Sequence, residues 1–90
     1  MKTIILECGQ YEDMNDFYND IASKMNFPEY FGKNYDALKD CLSEVDEDVC
    51  IALADCDLFA EKAGVVKVSV LKRVLFDASK ENHKIRVAFA

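Results

Sequence analysis

The sequence is poor in the residues on which enzyme and metal sites most often depend. Its 90 residues include one histidine, His83, and one proline, and its four cysteines show no CxxC spacing. A nucleophile with its own general base, or a zinc or redox site, therefore has little to be built from. We expect no catalytic residue, no bound metal and no cofactor.

Long apolar runs and an excess of positive charge are also absent. The first apolar run ends at Glu7, too early for a secretion signal, and no stretch is long enough to span a bilayer. The formal net charge of −6 would repel a nucleic-acid backbone or an anionic membrane and attract a basic protein. We therefore expect a cytoplasmic protein that contacts neither nucleic acid nor membrane directly, with reduced and largely buried cysteines.

Short apolar segments alternate with segments of helical periodicity. The apolar segments predict strands over residues 2–6, 49–54 and 84–89, and we expect the first of these to be fully buried. Strands that are separated by helices form parallel sheets with right-handed crossovers. The sequence therefore predicts an α/β fold, a small three-stranded parallel sheet flanked by about four helices, in a single domain over residues 1–90.

Polar residues and glycine predict where the helices begin and end. Asp13, Asn34 and Asp57 are the predicted N-caps of the first three helices, and Gly64 is expected to close the third. The helix that follows Asn34 is expected to run to about Val45.

The segment PEYFGKNYDALKDCL, residues 28–42, concentrates unusual residues where this second helix begins. A helical projection turns a row of carboxylates outward, Asp36, Asp40 and Glu44, spaced four residues apart. Like charges at this spacing cost a few tenths of a kcal/mol per pair. The row is therefore slightly unfavourable for the isolated protein, and a binding role would explain it.

The loop before this helix is expected to present an aromatic ring beside the carboxylates. Of two adjacent aromatics normally only one turns inward, and we assign Phe31 to the core and Tyr30 to the surface. Gly32 is expected to supply a positive φ or a close backbone approach. Lys39, on the same helix, lies within reach of Asp36.

The segment FPEYFGKNYDALKDCL, residues 27–42, resembles the signature of the barstar family, intracellular inhibitors of secreted bacterial ribonucleases such as barnase. The shared pattern is apolar-Pro-x-aromatic-aromatic-Gly-x-Asn-x-Asp-Ala-Leu-x-Asp-x-Leu. A weaker similarity covers residues 69–82 and the last strand. The resemblance implies three parallel strands flanked by four helices over nearly the whole chain.

The resemblance also implies a function and a set of contact residues. A monomeric inhibitor would bind 1:1 to a basic, extracellular-type, guanyl-preferring ribonuclease and plug its active site with the second helix and the preceding loop. Asp40 would take the place of a substrate phosphate, Asp36 would pair with an arginine, and Tyr30 would pack on a catalytic histidine. The further contact residues implied are Gly32, Asn34, Tyr35, Lys39, Ser43 and, on the last helix, Asp77.

Four positions depart from the family prototype. Lys39 and Val45 stand where it has tryptophan, Glu44 where it has glycine, and Tyr35 where it has an aliphatic residue. These departures retain the central carboxylates but indicate a ribonuclease other than barnase. One alternative stays open: a non-inhibitory acidic module, or a nucleic-acid mimic, that binds another basic protein through the same surface.

Overall fold

A computed structural model describes residues 1–89 and contains the predicted three-stranded parallel sheet. The strands are β1 (Lys2–Glu7), β2 (Val49–Ala54) and β3 (Ile85–Phe89), and their order in the sheet is β1-β2-β3. Both pairs are parallel, with Ile4 opposite Ile51 and Ile51 opposite Val87. Residue 90, the last residue of the predicted domain, lies outside the described range.

Four α-helices accompany the sheet, as predicted. They are α1 (Met14–Met25), α2 (Tyr35–Ser43), α3 (Cys56–Ala63) and α4 (Val65–Glu81), and a 3₁₀ turn over Cys8–Gln10 follows β1. Adjacent parallel strands need long crossovers, and each crossover here carries two of the helices. No helix within residues 1–89 is long and apolar enough to cross a membrane.

The sheet is buried on one face only. Ile4, Leu6 and Ile51 point into the core with the helices, whereas Ile5, on the opposite face, is 54% exposed. The expectation that the first strand is fully buried is therefore wrong. Its apolar content suggested burial on both faces, but successive side chains of a strand point to opposite faces, and only one face of this strand is buried.

Two of the three predicted N-caps are confirmed. Asp13 accepts a hydrogen bond from the backbone N–H of Asp16 at 3.0 Å, and Asn34 accepts one from that of Ala37 at 2.7 Å. The predicted Asp57 cap is wrong, because α3 begins at Cys56 after a left-handed Asp55 (φ 58°). Asp55 packs closely against Gly9 in the turn after β1, because a Cβ on Gly9 would lie 3.0 Å from the Asp55 Cβ. This close packing accompanies the earlier start of α3.

The end of α2 is tied to the end of α4. Asn82 donates from its side-chain nitrogen to the carbonyl oxygens of Leu42 at 3.0 Å and Val45 at 2.9 Å. The helix ends at Ser43, two residues before the predicted Val45. The Asn82 side-chain oxygen also accepts from the backbone N–H of Lys84, at the start of the turn into β3. One amide therefore joins two helix ends and the approach to a strand.

We predict that Asn82→Ala lowers the free energy of unfolding by about 2–3 kcal/mol, because three hydrogen bonds of roughly 1 kcal/mol each are lost. Urea unfolding followed by circular dichroism measures the change. The matched control is Asn19→Ala, at an exposed position of α1, which should change stability by less than about 0.5 kcal/mol. Equal stability of the two variants would contradict the prediction.

Candidate functional site: the outer face of α2

The loop before α2 separates its two aromatic side chains as predicted. Tyr30 is 87% exposed and Phe31 is 8% exposed. The Phe31 ring meets the rings of Tyr18 and Phe27 edge-on, with centroids 5.9 and 5.1 Å apart. The backbone N–H of Phe31 donates to the Pro28 carbonyl oxygen at 3.0 Å, which closes a turn. A buried Phe31 therefore anchors the loop while Tyr30 points into solvent.

Gly32 provides a close backbone approach, the second of the two expected possibilities. A Cβ at Gly32 would lie 3.3 Å from the Ala37 Cβ and 3.4 Å from the Asn34 side-chain nitrogen. The positive φ in this loop belongs instead to the next residue, Lys33 (φ 51°). Without a side chain at Gly32, the loop can lie directly on the first turn of α2.

Asn34 holds the loop and the helix together. Besides capping α2, its side chain donates to the Gly32 carbonyl oxygen at 3.3 Å. The cap fixes the start of α2, and the second bond fixes the backbone just before it. The structure therefore gives Asn34 a positioning role within the chain, although its residue surface is exposed.

Asp36, Asp40 and Glu44 are exposed on the outer side of α2, and we call this row the acidic face. Within residues 1–89, the carboxylates of Asp36 and Asp40 form no hydrogen bond and no ion pair. Burial raises the pKa of the neighbouring Cys41 thiol, and the charges of Glu44 and Asp40 raise it further. The acidic face therefore produces a negative potential at the helix surface.

Lys39, although within reach of Asp36 by its spacing, pairs with a different carboxylate. Its ammonium group lies 3.5 Å from a carboxylate oxygen of Glu81, near the end of α4. Both side chains are more than two-fifths exposed, so the pair contributes little to stability. The pair instead determines where the positive charge lies, because the Lys39 side chain turns toward α4 and away from Asp36.

Tyr35 and Ser43 are both engaged within the chain. The Tyr35 hydroxyl donates to the Lys67 carbonyl oxygen at 2.9 Å and so joins α2 to the first turn of α4. The Ser43 hydroxyl donates to the Asp40 carbonyl oxygen at 2.7 Å. Burial raises the pKa of Tyr35. Among the predicted contact residues, the hydroxyl groups of Tyr35 and Ser43 therefore already donate to carbonyl oxygens of the same chain.

Asp77 lies at the border of this surface. It is half-buried on α4, four residues before Glu81, and therefore on the same side of the helix as the partner of Lys39. Glu81 itself was missed by sequence reasoning. Only the packing of α4 beside α2 brings it to Lys39, and no local spacing signals that contact.

The four cysteines and the histidine differ in their burial. Cys8 lies beside Cys56 in the core, and burial, followed by the influence of Cys56, raises the pKa of Cys8 to about 12. Cys41 and Cys50 are only half-buried, so the expectation of largely buried cysteines holds for two of the four. His83 is exposed after α4. Within residues 1–89, no cluster of three or more histidine, cysteine or acidic side chains could hold a metal ion.

Carboxylates on α2 and, in the loop before it, the Tyr30 ring are thus exposed to solvent. The family model described as Barstar (barnase inhibitor) matches residues 1–90. The chain belongs to the Barstar family.

A curated relative supports the same assignment over part of the chain. It is the Bacillus subtilis (strain 168) protein named "Putative ribonuclease inhibitor YrdF", which is 40% identical over 43 residues. The match covers 48% of this chain and 47% of the relative, so it spans about half the length of each protein.

We predict that substitutions of two polar residues, the N-cap Asn34 and Asp40 within α2, affect stability differently. Asn34→Ala should lower the free energy of unfolding by about 1 kcal/mol, because it removes the N-cap. Asp40→Asn should leave it unchanged or raise it by a few tenths of a kcal/mol, because it relieves repulsion along the acidic face. Urea unfolding of both variants measures the difference.

Asn34→Asp is the control for this comparison, since it retains the capping oxygen and should keep most of the stability. A loss for Asp40→Asn as large as that for Asn34→Ala would mean that the carboxylate stabilises the fold. The acidic face would then need no binding role.

Proposed function

We propose that this protein is a ribonuclease inhibitor that binds a basic microbial ribonuclease 1:1 and blocks its active site with the acidic face of α2 and the loop before it. The observation that carries the proposal is the pair of exposed carboxylates, Asp36 and Asp40, held on a well-anchored helix without intramolecular partners. Membership of the Barstar family and the name of the Bacillus subtilis relative support the same function.

The chemistry of a ribonuclease explains why such a surface would inhibit it. The active site binds phosphodiesters, so it is lined with cationic groups. Carboxylates form strong charge-assisted hydrogen bonds with those groups but offer no bond to cleave. The net charge of −6 would also draw a basic enzyme to the inhibitor. The barnase–barstar pair is itself a standard example of this steering.

We assign the central role to Asp40, in the position of a substrate phosphate. Asp36, one turn earlier, would pair with an arginine, and the exposed Tyr30 ring would pack on a catalytic histidine. Gly32 would offer its backbone, and Asp77 would contribute at the border. Tyr35, Asn34 and Ser43 would act mainly by holding α2 and its loop in the binding geometry, because their side chains are already bonded within the chain.

We propose further that the cognate enzyme is barnase-like but differs from barnase at its rim. Lys39 adds a positive charge beside a surface that faces a cationic enzyme, and its pairing with Glu81 moves that charge toward α4. A ribonuclease with a neutral or acidic residue opposite this ion pair would fit best, because a basic residue there would be repelled by Lys39.

We predict that the purified protein inhibits at least one of a panel of guanyl-preferring microbial ribonucleases, barnase included, at 1:1 stoichiometry. Asp40→Ala should weaken binding to that enzyme by about thirtyfold or more. Removing one partner of a desolvated charge pair costs roughly 2–5 kcal/mol of binding free energy. The barnase–barstar complex is one of the complexes on which this range is based. RNA cleavage assays and surface plasmon resonance measure the two effects.

The matched control is Asp57→Ala, which removes an exposed aspartate from α3 instead of α2 and should change affinity by less than about threefold. No inhibition of any enzyme in the panel would overturn the inhibitor proposal. Binding without inhibition would favour a non-inhibitory acidic module. An unchanged dissociation rate for Asp40→Ala would place the binding site elsewhere.

We also predict that salt slows association with the ribonuclease by about tenfold or more between roughly 0.05 and 0.5 M, because the Debye length falls from about 14 Å to about 4 Å. The dissociation rate should change much less, since desolvated pairs are weakly screened. Stopped-flow association measures the dependence. An association rate that does not respond to salt would argue against carboxylate steering.

A further inference from the structure

A cleft lies beside the acidic face, at the end of α2. It has a volume of about 200 Å³, several times the roughly 30 Å³ that one water occupies in the liquid. Its lining comes from the end of α1 with the following loop, and from the end of α2 with the following turn. The lining residues are Met25, Asn26, Phe27, Pro28, Cys41, Glu44, Val45, Asp46 and Glu47.

The lining of this cleft combines apolar and acidic side chains, and more of its surface is polar than apolar. Half-buried side chains of Phe27, Cys41 and Val45 give it apolar contact surface. The carboxylates of Glu44, Asp46 and Glu47 stand at its exposed rim. The C-terminal ends of α1 and α2 also meet here, and helix C-termini carry partial negative charge. The cleft therefore suits a group with an apolar stem and a cationic head.

The chain neutralises only one of the three rim carboxylates with its own lysines. Lys24, next to the cleft residue Met25, donates instead to the Ile5 carbonyl oxygen at 2.8 Å and the Asp20 carboxylate at 3.1 Å. Lys2 lies 3.6 Å from Glu47 and offsets one of the three charges. Within residues 1–89, Glu44 and Asp46 have no ion-pair partner. Two carboxylates at the rim are thus available to an external cation.

Glu44 belongs both to this rim and to the acidic face. A partner that covers Asp36 and Asp40 would therefore reach the cleft without a second binding mode. We propose that the cleft receives an arginine or lysine side chain from the rim of the bound ribonuclease, its stem over Val45 and Phe27 and its charged head between Glu44 and Asp46. This inference rests on the proposed inhibitor function and adds a specificity pocket to it.

Two conservative variants of the inhibitor test the pocket. Glu44→Gln and Asp46→Asn preserve shape and remove charge at exposed positions, so folding should be retained. Each should raise the Kd for the most tightly bound ribonuclease of the panel about tenfold, chiefly through faster dissociation. Glu61→Gln, on α3 and without an ion pair within residues 1–89, is the control, and it should affect only the association rate, and only slightly.

A double-mutant cycle identifies the occupant. Each arginine and lysine at the ribonuclease rim is replaced by methionine, which retains an apolar stem. We expect one such variant to remove most of the effect of Glu44→Gln and of Asp46→Asn, because the lost charge is their common partner. Additive effects for every ribonuclease variant would overturn the pocket.

The outcomes separate the two proposals. If Asp40→Ala weakens binding while Glu44→Gln and Asp46→Asn behave like Glu61→Gln, the inhibitor function stands and the pocket is wrong. If no ribonuclease of the panel binds, both proposals are overturned.

Discussion

The burial of Leu38 and Leu42 is the constraint on which the acidic face depends. Both side chains are completely buried, and together they fix the rotation of α2 about its axis. Because each residue turns the helix by about 100°, that rotation also fixes the direction of every other side chain. Asp36 and Asp40 point outward as a consequence. The acidic face is thus set by core packing, although none of its members is part of the core.

Three further contacts hold α2 along its length. Asn34 caps its start, Tyr35 joins it to the Lys67 carbonyl, and Asn82 binds the carbonyls at its end. A nine-residue helix is too short to be stable alone, and its carboxylate row opposes stability slightly. The anchoring would help the proposed binding, because a surface that is already ordered loses less conformational entropy when a partner binds.

Local physical chemistry predicted much of this fold, and long-range packing accounts for the errors. The caps Asp13 and Asn34, the buried Phe31 and the order of strands and helices follow from short-range rules, and the structure confirms them. The open face of β1 depends on where the helices pack. The earlier start of α3 goes together with the close packing of Gly9 against Asp55, a residue distant in sequence. The lining of the cleft likewise comes from segments distant in sequence.

The surroundings of the acidic face differ on its two sides, and this difference bears on specificity. Toward α4, Lys39 and Glu81 form an exposed ion pair, whose positive and negative groups cancel in net charge. At the end of α2, Glu44 and Asp46 border a cleft of mixed polar and apolar lining, and neither carboxylate has an ion-pair partner within residues 1–89. Central carboxylates suit any phosphodiester-binding site, so they cannot by themselves select one ribonuclease. Discrimination needs contacts that favour one partner and repel another. Because the ion pair has no net charge, it would attract a basic residue little, whereas the two unpaired carboxylates at the cleft would attract one, and this contrast would help to orient the bound enzyme.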